Sequence, residues 1–163
     1  MKKIIFSFFF LIILIFKADA KVVFIDLNYI LSESAKGKKI LKELNVQNKE
    51  NNKIFKGSEK KLEIKKNEIT KLKNIISDDE LKKKIDQFET EVKKYKEEKN
   101  KTIKSFENLK KNELDKFFNS LNEILNTYMK ENDISMVIEK KSIIMANSTL
   151  DITKNILDIV NKN

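Results

Sequence analysis

Leu81, Ile85, Phe88, Val92 and Tyr95 recur at a strict four-three spacing, which constrains this chain more than any other feature of its sequence. Side chains spaced in this way lie on one face of an α-helix. The series continues through Lys99, Thr102, Phe106 and Leu109, slips by one residue, and resumes at Leu114, Phe117, Leu121, Ile124 and Tyr128. It predicts an amphipathic helix of about 50 residues. The preceding stretch, Ser34 to Ile76, carries a heptad seam with faults. Leu41, Phe55, Leu62, Ile69 and Ile76 share one seven-residue series with Asn48, while Leu44 and Leu72 lie three residues later with Asn51, Ser58 and Lys65 between them. Such a seam is that of a coiled coil with a soft middle. Asn48, Asn51, Asn52 and Gly57 are poorer helix formers than alanine, so the arm is expected to bend or breathe there.

Between the two seams lies Ser77-Asp78-Asp79-Glu80, which matches a capping box. The Ser77 hydroxyl is placed to accept from the Glu80 backbone N–H, the Glu80 carboxylate to reach back, and the two aspartates to favour a helix N-terminus. Capping accounts for these carboxylates without a metal. One helix ends and another begins here, so two seams of comparable length predict an antiparallel hairpin with its tip near residue 77. At 1.5 Å per residue the first arm spans about 65 Å.

The first twenty residues read as an address label. Lys2 and Lys3 precede an apolar run from Ile4 to Phe16, and Ala18-Asp19-Ala20 offers the small-x-small pattern of a signal peptidase site. The run is 13 residues long, short of the roughly 20 that cross a bilayer. Cleavage before Lys21 leaves 143 residues with a net charge of +7. All 34 basic residues are lysine, which removes bidentate arginine contacts to phosphate or guanine and argues against specific nucleic-acid recognition. The chain has no histidine and no cysteine, so the usual zinc ligands, the usual general base of hydrolytic triads and disulfides are all lacking. No glycine-rich phosphate loop is present. The chain reads as a non-enzyme without a cofactor.

The ends differ in texture from the hairpin. Lys21 to Leu27, with Val22, Val23, Phe24 and Ile25 consecutive, reads as a strand buried on both faces. Asp26 or Asn28 then caps a helix containing Tyr29, Ile30 and Leu31. After Asn132 and Asp133, Ile134 to Ile138 and Ser142 to Ala146 read as two short strands joined by a turn at Glu139-Lys140-Lys141. Asn147 to Leu150 reads as a loop, and Asp151 caps a final helix whose Ile152, Ile156, Ile159 and Val160 share a face. Residues 21–33 and 132–163 thus make a small body, and residues 34–131 the hairpin. A body of this size is marginal as a lone core, which favours a homo-oligomer packed through it. Val23, Phe24, Ile25, Val137, Ile138, Ile143, Ile144 and Met145 are its candidate association residues.

Val22-Val23-Phe24-Ile25-Asp26, Ser34-Ala35-Lys36-Gly37-Lys38, Leu44, the long lysine-rich stretch, Val137-Ile138-Glu139-Lys140, Ile143-Ile144-Met145-Ala146 and Leu150-Asp151-Ile152-Thr153 follow one another in an order that resembles the Skp/OmpH family of periplasmic chaperones. The resemblance implies a mainly α fold with a small β body. It further implies a jellyfish-like homotrimer whose coiled-coil hairpin tentacles surround a cavity. That cavity holds unfolded outer-membrane β-barrel proteins, without ATP, until insertion. Peripheral contact with anionic membrane lipids stays open, since no lipopolysaccharide-binding cluster transfers residue by residue.

Within the hairpin, Phe55, Leu62, Ile69, Leu72, Ile76, Leu81 and Phe88 are candidate client contacts, against the plainer reading that they zip the arms together. Lys82, Lys83 and Lys84 are a candidate clamp, against a solvated helix face. Two other readings compete with the chaperone. One is a structural coiled coil of the cell envelope, which calls for a fixed partner. The other is a cationic protein coating nucleic acid or anionic lipid, which calls for binding that collapses with salt.

Overall fold

A computed structural model describes residues 20–162, and apart from Ala20 the expected export signal lies outside them. Along the chain run β1 (Lys21–Ile25), α1 (Leu27–Glu33), α2 (Ala35–Leu72), α3 (Asp78–Glu131), β2 (Ile134–Glu139), 3-10 turns at Lys140–Ser142 and Ser148–Leu150, and α4 (Thr153–Lys162). The fold is mainly α, with a long helical hairpin and one small strand pair. The described residues divide into two compact units: residues 20–30 together with residues 123–162, and Leu31–Asn122.

The first unit is organised by β1. Its central residues pair in parallel with β2, Val23 opposite Val137, Phe24 opposite Ile138 and Ile25 opposite Glu139. On its other side Phe24 bridges to Asp151, and the Ile152 N–H donates to the Phe24 carbonyl at 3.0 Å. With both edges engaged, Val23, Phe24 and Ile25 are buried in succession, beside Ile30, Ile134, Ile152 and Ile156. Full burial of such side chains contributes roughly 1.5–3 kcal/mol each. Val22, at the start of the strand, stays exposed, and Leu27 opens α1 rather than closing the strand.

Aspartates set the helix starts. The Asp26 carboxylate accepts from the Tyr29 N–H at 2.9 Å, and Asp151 accepts from the Thr153 N–H at 2.9 Å. The Asp26 N–H in turn donates to the Thr153 hydroxyl at 2.9 Å, tying the end of β1 to the start of α4. At the end of α3, Asp133 takes a left-handed conformation with φ 54°, which aspartate tolerates better than most residues. This turn releases the chain into β2.

One expectation fails in this unit. Ser142 to Ala146 does not return as a strand against Ile134–Glu139. Glu139 leads instead into the 3-10 turn Lys140–Ser142, closed by the Ile143 N–H on the Lys140 carbonyl at 3.1 Å. Glu139-Lys140-Lys141 lacks the glycine or asparagine that tight hairpin loops demand. β2 takes its partner about 114 residues back, as Val23 opposite Val137 shows, and its second edge pairs with nothing among the described residues.

In the second unit Ser34 is fully buried and caps α2, its hydroxyl accepting from the Gly37 N–H at 3.1 Å. A Cβ on Gly37 would sit 1.9 Å from the Leu31 carbonyl oxygen, so this glycine is required by close packing. α2 then runs unbroken through Asn48, Asn51, Asn52 and Gly57, the stretch expected to bend or breathe. Asn51 is buried and accepts from the Gln47 side-chain amide at 3.2 Å, a local bond that keeps it inside the helix. The seam also differs at its start. Ile40 is 8% exposed and Leu41 39%, so the inward series reads Gly37, Ile40, Leu44. A straight helix drifts by about 20° per heptad against a seven-residue repeat, and one residue of slip restores the face. α3 makes the matching adjustment, with Leu109 exposed and Phe117 and Leu121 buried. α2 ends at Leu72, four residues before the expected end, and a turn through Ile76 follows. Ser77 caps α3, its hydroxyl accepting from the Glu80 N–H at 3.4 Å and its carbonyl from the Leu81 N–H at 2.9 Å.

Candidate functional site

Two lysine-rich helices laid antiparallel create the hairpin's chemistry. Its cross-arm contacts join residues placed nearly symmetrically about Ser77. Lys65 pairs with Glu91, while Glu59 accepts from the Tyr95 hydroxyl at 2.6 Å and from the Lys99 ammonium at 2.7 Å. Lys99 also lies 5.3 Å from the centre of the Phe55 ring and 5.6 Å from that of Tyr95, within cation–π range. Its bond to Lys99 holds the Glu59 carboxyl below its usual pKa, helped by Tyr95. Conversely, Glu59 raises the Lys99 ammonium, and partial burial followed by the Glu59 bond raises the Tyr95 phenol. All three shifts favour the paired state at neutral pH. Exposed ion pairs of this kind contribute little stability each, so they set the register of the arms while the seam supplies most of the adhesion.

Two clefts open along this seam. The middle one, of about 440 Å³, coincides with the polar interruption in α2; Asn48, Asn51, Asn52 and Phe55 face Lys99, Ile103 and Phe106 of α3 across it. Near the tip a second cleft of about 400 Å³ is lined by Ile69, Leu81, Ile85 and Phe88, with Lys66, Thr70 and Lys73 at its margin. These volumes suit side chains of a partner rather than a whole small ligand.

All seven apolar candidates, Phe55, Leu62, Ile69, Leu72, Ile76, Leu81 and Phe88, are half-buried on the seam. Ile69, Leu81 and Phe88 are brought together in the tip cleft, and Phe55 belongs to the middle one; Leu62, Leu72 and Ile76 line neither. Lys82, Lys83 and Lys84 are exposed, and the first two border a shallow depression on α3 with Asp79, Asp86 and Glu91, so carboxylates rather than apolar side chains are their neighbours. Glu59, Lys66 and Lys73 were not singled out by periodicity. Reflecting the chain about Ser77 places Glu59 opposite Tyr95, with Lys99 one helical turn further along α3, a signal available once the hairpin is accepted.

Of the eight association candidates, Val23, Phe24 and Ile25 are consumed by the core of their own unit, and Val137, Ile138 and Ile143 are half-buried. Ile144 and Met145 are 103% and 90% exposed, side by side on an irregular segment, and Met136 on β2 is 53% exposed.

Charge separates the units. Residues 31–122 hold 25 lysines against 17 carboxylates, whereas residues 21–30 and 123–163 hold six lysines against seven. The basic excess therefore belongs to the hairpin unit alone. Among the described residues no cluster of carboxylates converges as a metal site, and no helix is long and apolar enough to cross a membrane.

A family model described as outer membrane protein (OmpH-like) matches residues 21–160. Among solved structures, a chain from Caulobacter crescentus assigned as an OmpH-like outer membrane chaperone aligns with a TM-score of 0.76 at 16% identity, covering 88% of this chain and 85% of that one. At that identity the likeness is one of fold. A search of curated proteins finds no match.

Proposed function

We propose a chaperone function for this chain, which belongs to the OmpH-like outer membrane protein family: it holds unfolded outer-membrane β-barrel proteins in the periplasm, without ATP, and keeps them from aggregating before insertion. The observation that carries this reading is the confinement of the basic excess to a hairpin whose apolar seam is only half covered. Unfolded barrel chains expose apolar side chains and unpaired strand edges, which associate in water. Many weak contacts from half-buried isoleucine, leucine and phenylalanine sum to a firm hold while each breaks readily. Lysine stems cover apolar client surface and keep their charges hydrated. Nothing in this cycle requires bond-breaking, in keeping with a non-enzymatic family.

The functional unit in this reading is a homotrimer associating through the strand-bearing unit. The free edge of β2 and exposed Met136, Ile144 and Met145 support it, since an open edge beside uncovered apolar side chains is stable only when another chain covers it. Residues 1–20 serve as the cleaved export signal, residues 21–33 and 132–163 as the association body, and residues 34–131 as the client-binding hairpin.

The test is dilution of a urea-unfolded outer-membrane barrel protein into the purified protein, scored by light scattering and by the mass of the complex. Suppressed scattering with one client per oligomer is expected. Unchanged aggregation at a molar excess of oligomer would sink the reading and leave the envelope scaffold in its place.

A further inference from the structure

The tip cleft differs from the rest of the hairpin in what surrounds its apolar floor. Ile85 stands on the strict four-three series of α3 yet remains 38% exposed, and the α2 helix meets it in the cleft with one large apolar side chain, Ile69, beside the smaller, polar Thr70. Ile69, Leu81 and Phe88 complete an apolar recess, and Lys66 on α2 and Lys73, the residue that ends that helix about two turns later, flank it. No carboxylate lines it, and among the described residues neither lysine forms an ion pair. The middle cleft is unlike this: Glu59 and Glu107 line it, and its Lys99 is already committed to Glu59.

We propose that the tip cleft is a selective subsite for a client segment in which a large apolar side chain stands next to a carboxylate. The side chain enters between Ile69, Leu81, Ile85 and Phe88, and the carboxylate meets Lys66 or Lys73 at the margin. The chemistry follows from what the recess lacks as much as from what it holds. A neutral apolar segment leaves two ammonium groups without a partner, and a basic segment meets like charge on the side from which it enters. An aspartate or glutamate beside phenylalanine or leucine satisfies both parts. The proposal rests on the reading that the hairpin holds unfolded polypeptide, and it adds that the hold is weighted toward a definable sequence pattern.

Fluorescein-labelled, unstructured glycine-serine peptides carrying Phe-Glu, Phe-Lys or Ser-Glu at their centre test it on the full mature protein by anisotropy. The Phe-Glu peptide is expected to bind about tenfold more tightly than either other, the ratio that a difference of about 1.4 kcal/mol produces. The double variant K66E/K73E is expected to reverse the preference toward Phe-Lys, and Ile85→Ser to weaken Phe-Glu binding while far-UV circular dichroism stays unchanged. Equal affinity for all three peptides, or a preference untouched by charge reversal, overturns the subsite. Dodecanoate displacing the Phe-Glu peptide at lower concentration than unlabelled peptide assigns the recess to an acyl lipid and overturns it also. The aggregation assay separates the two claims: suppression without peptide preference removes the subsite and leaves the chaperone, whereas preference without suppression removes the chaperone and keeps the subsite.

Discussion

Replacing each of the chain's two glycines by alanine should have opposite effects, although both lie in the same helix. Alanine in a helix interior is ordinarily favoured over glycine by about 0.5–1 kcal/mol, because it restricts the unfolded backbone. Gly57 has nothing within 4 Å of the position its Cβ would take, so Gly57→Ala should show that gain in full. At Gly37 the added methyl would lie 1.9 Å from the Leu31 oxygen, 2.7 Å from the Leu31 carbonyl carbon and 2.8 Å from the Ser34 hydroxyl. Two of these atoms are backbone, so a rotamer change cannot relieve the contact, and the junction of α1 and α2 must shift. Overpacking of this kind costs about 1–3 kcal/mol, and disturbing the Ser34 cap adds about 1 kcal/mol. After the propensity gain, Gly37→Ala should be destabilised by about 1–3 kcal/mol, leaving the two variants about 2–4 kcal/mol apart. With a urea dependence of about 2 kcal/mol per molar, their midpoints should differ by roughly 1–2 M. The measurement is urea unfolding followed by far-UV circular dichroism at one fixed chain concentration, since association adds to apparent stability. If Gly37→Ala proves as stable as Gly57→Ala, the close approach to Leu31 is not what the fold requires there.

Three further outcomes are expected. The Glu59 pKa is lowered, so its stabilisation is present above the ordinary value of 4.5 and disappears as pH falls through the folded value; Lys99 is raised, so its share persists below 10.5 and is lost as pH rises beyond that. Glu59→Gln should therefore flatten the acid side of the stability profile, and an unaltered profile in thermal melts across pH would contradict the pairing. Asn51→Leu fills a buried seam position with apolar surface and should stabilise the hairpin by about 1–2 kcal/mol in urea unfolding, while a loss would show that the Gln47–Asn51 bond matters more than seam burial. Aspartate at both Ile144 and Met145 should reduce the sedimenting mass to that of one chain with helix content retained; undiminished mass would place the association surface elsewhere.

Much of this architecture was legible before any fold was at hand. The four-three series from Leu81, the cap at Ser77, the break at Asn132-Asp133 and the capping aspartates at Asp26 and Asp151 all depend on residues within a few positions of one another. Helix periodicity and capping are local, so a linear reading reaches them. The drift of the heptad from Leu41 to Ile40 was not legible in this way, because it accumulates over turns and is settled by what the opposite arm presents. Nor was the turn at Lys140–Ser142, where strand-like composition in Ile143, Ile144 and Met145 was overruled by an unsuitable turn sequence and by a parallel partner far back in the chain.

The sequence by itself therefore determined a mainly α fold with a long helical hairpin, its turning point and its basic character. Only the tertiary structure decided that Gly37 meets Leu31, that Glu59 joins Tyr95 to Lys99, and that Ile69, Leu81, Ile85 and Phe88 gather into one recess between Lys66 and Lys73. It also decided which strand Ile134–Glu139 pairs with. Each of these brings together groups that the chain's local pattern leaves independent, and their distances exist only after the backbone has closed.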